Sequence, residues 1–127
     1  MGTCLGKETT ERRSSGENEV RQSSSTKLGN LADLKAKIST TKGLIVIDFF
    51  ATWCPPCQAI APTVEAMSKE FTSVLFLKVD VDENREAVQE YNIEAMPTFV
   101  FIKGGQTVDT MRGADKDQLR SLITKHQ

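Results

Sequence analysis

Residues Leu44-Ile45-Val46-Ile47-Asp48-Phe49-Phe50 form a nearly unbroken apolar run that leads into Trp53-Cys54-Pro55-Pro56-Cys57. A strand with one wet face alternates apolar and polar residues. A continuous run rich in β-branched side chains is expected where a sheet is covered on both faces. That requirement points to a layered α/β domain with helices on either side of the sheet.

The remaining pattern supplies those layers. Asn30 stands as an N-cap before Leu31, Leu34 and Ile38 at helical spacing. A second helix is predicted over 54–71, with Ile60, Val64, Met67 and Phe71 on one side and a kink at Pro62. Residues 74–80 read as another central strand, and a short helix follows over 84–91. Strands over 98–102 and 106–111 flank Gly104-Gly105, a hairpin turn. Asp115, with Gln118 three residues later, opens the last helix in a capping-box pattern with Leu119, Leu122 and Ile123 facing inward. Strand, helix, strand around the cysteines predicts a parallel βαβ unit.

The chain divides near residue 26. In residues 1–26 only Met1, Cys4, Leu5 and Val20 are apolar, so the segment is expected to be a disordered extension before a domain over 27–127. Arg12 and Arg13 suit an organelle transit peptide, but Glu8, Glu11, Glu17 and Glu19 oppose that reading. A formal net charge of −1 gives no footprint for nucleic acid. Lacking a membrane-length apolar run or a secretory stretch, the chain is expected to be soluble and cytoplasmic. Gly2 and Cys4 suggest dual acylation, which would attach the chain to a membrane; Gly6 stands where the acylation pattern has Ser or Thr. An unmodified extension is the plainer expectation.

Three cysteines, Cys4, Cys54 and Cys57, do not make a disulfide framework. The Cys54/Cys57 pair suits redox chemistry or metal. Three-residue spacing on a first helical turn brings two cysteines within disulfide distance. The first lies at a helix N-terminus, where free N–H groups favour a thiolate. The second lies one turn deeper and is expected to be better shielded. Cys54 would then attack a disulfide, and Cys57 would resolve the mixed disulfide. A zinc site needs four ligands, and Cys4 and His126 are the only other cysteine or histidine candidates. A Cys–His hydrolase would need His126 to reach the pair from the chain end. The redox reading is favoured. Asp48 interrupts an apolar strand, so its carboxyl should be desolvated and its pKa raised, fitting a proton acceptor.

The run Asp48-Phe49-Phe50-Ala51-Thr52-Trp53-Cys54-Pro55-Pro56-Cys57, with Met96-Pro97-Thr98-Phe99 downstream, resembles the thioredoxin family over residues 28–127. The resemblance implies the thioredoxin fold, a central mixed β-sheet flanked by helices. A lowered pKa of the first cysteine is a known property of that family. It further implies a buried acid, Asp48, beneath Cys57 and a lysine, Lys78, near it; a solvated strand lysine fits Lys78 equally well. Pro97, which the residues alone leave cis or trans, is implied to be cis and to expose the Met96 backbone to an extended substrate. Ala95, Met96, Gly113 and Ala114 would line that groove. Trp53 would shield the dithiol, or is an ordinary partly buried aromatic. The implied partners are disulfide-containing proteins and thioredoxin reductase, with electrons from NADPH, no bound cofactor and a monomeric protein.

The chain departs from the family pattern at three residues and, more widely, in its N-terminal extension. Pro55 replaces the usual Gly, so Pro55 and Pro56 remove two backbone donors and stiffen the turn. Gln58 replaces a basic residue, and Arg112 adds a charge beside Gly113. The leading expectation is a protein-disulfide reductase. An oxidant or isomerase, and a binding module on the same scaffold, are the rivals.

Overall fold

The computed structural model describes residues 25–127. In chain order these form β1 (Ser25–Leu28), α1 (Leu31–Thr40), β2 (Ile45–Phe50), α2 (Pro55–Glu70), β3 (Leu75–Asp80), α3 (Arg85–Glu90), β4 (Thr98–Lys103), β5 (Gln106–Arg112) and α4 (Lys116–His126). The strands make one five-stranded sheet in the order β1-β3-β2-β4-β5. Strands β1, β3 and β2 are parallel, whereas β4 is antiparallel to both β2 and β5. The unit β2-α2-β3 is the parallel crossover expected around the cysteines.

Strand β2 is central, and successive side chains leave it on opposite faces. Ile45, Ile47 and Phe49 enter a core with Leu34 of α1 and Ala87 of α3. Leu44 and Val46 enter a second core with Ile60, Val64 and Met67 of α2 and Leu119 and Ile123 of α4. Both faces are therefore dry, which is why the run is apolar throughout. The same parity puts Asp48 on the α2 side.

Strand β1 is the element that periodicity does not predict. It starts at Ser25, two residues before the expected domain start at residue 27, and pairs in parallel with Phe76–Val79 of β3. Leu28 is buried, and its carbonyl accepts from Asn84 Nδ2 at 3.1 Å. Asn84 thus ties down β1 while standing at the N-cap position of α3, where it makes no capping bond.

Other boundaries move by a residue or so. Cys54 and Phe71 cap α2 rather than belonging to it, and β3 begins at Leu75. Helix α2 is continuous through Pro62, although that residue has no N–H for the ladder. Asn92, with φ 53°, ends α3 in the left-handed conformation and turns the chain toward β4. Gly104 and Gly105 both have positive φ, as the primed turn of a two-residue hairpin requires. Asp115 caps α4 through Oδ1, which accepts from the backbone N–H groups of Asp117 and Gln118.

Candidate active site

The C-terminal end of β2 delivers the chain to a tight corner. The Cys54 N–H donates to the Ala51 carbonyl at 3.2 Å, and Gln58 N–H donates to the Cys54 carbonyl at 3.1 Å. Cys54 is the N-cap of α2, and its Sγ accepts from the Cys57 N–H at 3.3 Å. Pro55 and Pro56 occupy the first helical positions, where a backbone donor has no intrahelical partner to lose. Cys54 and Cys57 are joined as a disulfide, with 5.3 Å between their Cα atoms.

The expectation that Cys57 is better shielded does not hold. Cys54 is 4% exposed and Cys57 5%, so the two are equally buried. The two differ in what they face. Cys54 Sγ lies 3.7 Å from the Met96 carbonyl oxygen. Cys57 lines a cavity of about 260 Å³ together with Asp48, Thr52, Gln58 and Lys78.

Asp48 is 5% exposed, and its Oδ1 is buried without a hydrogen-bond partner among the described residues. Burial penalises its charged form and pushes its pKa up to about 7, while the Lys78 charge pulls the other way. Lys78 is the register partner of Asp48 across the β2/β3 pair and is half-buried. Its Nζ lies 5.3 Å from the Phe50 ring centroid. On the β4 side Asp48 faces Phe99, which offers no polar group.

Three further loops converge on the corner. The Met96–Pro97 peptide is cis. The Ala95 carbonyl is held by Thr98 Oγ1 at 2.6 Å, and the Pro97 carbonyl accepts from the Gly113 N–H at 2.9 Å. Gly113 has φ 101°, a conformation that favours glycine, and Ala114 follows it as exposed loop. Trp53 is 62% exposed, and its Nε1 donates to Asp82 Oδ2 at 2.8 Å. Sequence reasoning missed Asp82. Its signal is spatial, because the parallel β2/β3 register sets Asp80 opposite Phe50 and brings the next residues beside the Trp53 turn.

His126 stands apart from this group. Its Nε2 lies 3.0 Å from Asp109 Oδ2, and its backbone carbonyl accepts from Lys103 Nζ at 2.9 Å. Lys103 ends β4, whose other end, Thr98, faces the dithiol corner, so His126 lies at the far end of the sheet. Among the described residues, no cluster of three or more His, Cys, Asp or Glu side chains is placed to hold a metal ion. Cys4 and Gly2 lie outside the described residues. No helix among the described residues is long and apolar enough to cross a membrane.

The arrangement has known counterparts. The family model described as Thioredoxin matches residues 25–125. Thioredoxin H5 of Arabidopsis thaliana is 54% identical over 86 residues, which are 68% of this chain and 73% of that protein. The X-ray structure of Fasciola hepatica thioredoxin aligns with a TM-score of 0.79 at 54% identity, covering 80% of this chain and 99% of that one. Thioredoxin NaTrxh from Nicotiana alata aligns with a TM-score of 0.80 at 38% identity, over 86% of this chain and 97% of that one. The redox reading of the cysteine pair, the mixed sheet between helices and a match along nearly all described residues converge: this chain belongs to the thioredoxin family and is a protein thiol–disulfide oxidoreductase of the thioredoxin fold.

Proposed function

We propose that Cys54 is the attacking thiol, Cys57 the resolving thiol and Asp48 the proton acceptor in the reduction of disulfides in other proteins. The Cys54 thiolate attacks one sulfur of the substrate disulfide, forming a mixed disulfide and releasing the other sulfur as a thiolate, which takes a proton from solvent. Asp48 then accepts the Cys57 proton, and the Cys57 thiolate attacks Cys54 Sγ. The Cys54–Cys57 disulfide forms, the second substrate sulfur leaves, and it is protonated by way of Asp48. Two electrons and two protons reach the substrate. The observation that carries the division of labour is that Cys54 caps α2 and takes the Cys57 N–H, whereas Cys57 faces the Asp48 cavity.

The supporting roles follow from position. Lys78 moderates the charge on Asp48, while Pro55 and Pro56 stiffen the turn. Pro97 presents the Met96 carbonyl, so Trp53, Ala95, Met96, Gly113 and Ala114 form the surface that receives the substrate chain. Family membership implies thioredoxin reductase and disulfide proteins as partners. NADPH is then the electron source, and the dithiol itself carries the electrons without a bound cofactor. The protein acts as a monomer in the cytoplasm, the compartment whose reducing systems suit this cycle. Acylation of Gly2 and Cys4 would move it to a membrane, which fractionation of the full chain detects.

The test is NADPH consumption with thioredoxin reductase and insulin, using the parent, Cys54→Ser and Cys57→Ser. The parent turns over and both variants do not. Cys57→Ser, which keeps Cys54 of the pair, accumulates a mixed disulfide through Cys54 with the substrate, whereas Cys54→Ser does not. Equal trapping by the two variants would overturn the assigned roles.

A further inference from the structure

The backbone turn at this corner opens at Ala51, whose carbonyl accepts from the Cys54 N–H, and leaves the Thr52 carbonyl outside it. Pro55 has no N–H, and Pro56 has none either. Among the described residues no backbone N–H reaches the Thr52 carbonyl; the Gln58 side chain takes it instead, Nε2 donating at 2.5 Å. Gln58 therefore reaches back across the whole Cys54-Pro55-Pro56-Cys57 turn. Both ends of this bond, Thr52 and Gln58, line the cavity that holds Asp48, Cys57 and Lys78. Both ends are also exposed, so the bond spans the mouth of the cavity at the solvent boundary.

We propose that Gln58 is a positioning residue for the proton-transfer step: its amide straps α2 to the Thr52 carbonyl across the cavity mouth and so limits how far water reaches the Asp48 carboxyl. The inference rests on Asp48 being the proton acceptor. The titratable groups facing Asp48 are Lys78 from β3 and Cys57 from α2, with β4 contributing Phe99. With the strap cut, better hydration favours the carboxylate, so Asp48 gives up its proton at lower pH.

Gln58→Ala in the full chain tests this in two ways. In the oxidised protein Cys57 does not titrate, so the Asp48 carboxyl carbon, followed by NMR across the interval around pH 7, reports that group alone. Its midpoint falls by about half to one pH unit in Gln58→Ala. In the reduced protein, the pH midpoint of single-turnover disulfide reduction moves in the same direction. A structural role alone would lower the rate without moving either midpoint, and midpoints unchanged within about 0.2 pH units overturn the proposal. Asp48→Asn separates the strap from the acid it serves. If it removes the rate inflection while Gln58→Ala leaves the midpoints in place, the strap alone is refuted. If it leaves the inflection intact, the proton-acceptor role fails and the strap falls with it.

Discussion

At the scale of single residues, Asp48 is informative in the sequence and costly to bury in the fold. Its ordinary carboxyl value of 3.8 is pushed to about 7 by burial. The unfolded chain therefore loses this proton before the folded one does. The stabilising contribution of the neutral buried acid is complete below about pH 3.8, declines as pH rises toward 7, and levels off above it. Each pH unit between the two values is worth about 1.4 kcal/mol, so the whole interval corresponds to about 4 kcal/mol. Asp48→Asn is accordingly expected to be more stable than the parent by on the order of 2–4 kcal/mol at about pH 8, and nearly equal to it at about pH 4. Urea unfolding at the two pH values measures the gap; a gap that does not change with pH would refute the raised acid. This residue was legible because a charge within Leu44–Phe50 breaks the apolar pattern. Asp82 and the bonded role of Gln58 were not. Each acts through a partner whose proximity depends on strand register or on the shape of one turn, and neither leaves a periodic trace in the sequence.

Among the elements, those with their own start and stop chemistry were the readable ones. Gly104-Gly105 marked the β4/β5 hairpin, and Asp115 marked α4, because the turn and the cap are satisfied within a few residues. The cap on α4 is concrete: one carboxylate oxygen takes two backbone N–H groups. Asp115→Ala leaves both donors without that partner and should cost about 1 kcal/mol, lowering Tm by several degrees. Thermal unfolding with circular dichroism measures this, and Asp115→Ser, which can still cap, should recover most of the loss. The other end of α4 was not readable. His126 meets Asp109 of β5 across seventeen positions, and the hydrogen bond from His126 holds the Asp109 carboxyl below its ordinary value. That contact supports the fold above the ordinary carboxylate range and fades as pH falls below it. Strand β1 was equally hidden. The run Ser25-Thr26-Lys27-Leu28 carries no apolar alternation in the sequence, and it becomes a strand because β3 presents an edge for it to pair with.

For the whole molecule, the question is where the cooperative unit begins. Both cores share one sheet, and its central strand β2 contributes alternate side chains to each, so damage at an edge is felt on both sides of the dithiol corner. Composition divides the chain near residue 26, whereas β1 starts at Ser25 and the family match starts at the same residue. The active corner is built by β2, α2 and the loop before β4, none of which pairs with β1 in the sheet. Activity and stability should therefore separate on truncation. A chain beginning at Ser25 keeps β1 paired with β3 and keeps the Asn84 bond to the Leu28 carbonyl, so it should match the full chain in urea midpoint and in insulin reduction. A chain beginning at Gly29 loses the Leu28 side chain from the core, exposes the β3 edge and leaves the Asn84 amide without its acceptor. That should cost about 2–5 kcal/mol, the range for removing one large buried aliphatic side chain, while the reduced protein that remains folded still reduces disulfides. If the chain from Gly29 were as stable as the chain from Ser25, β1 would be an appendage and the domain would begin at α1. If the chain from Ser25 were already destabilised, the preceding residues would belong to the folded unit, and the compositional division near residue 26 would be misplaced.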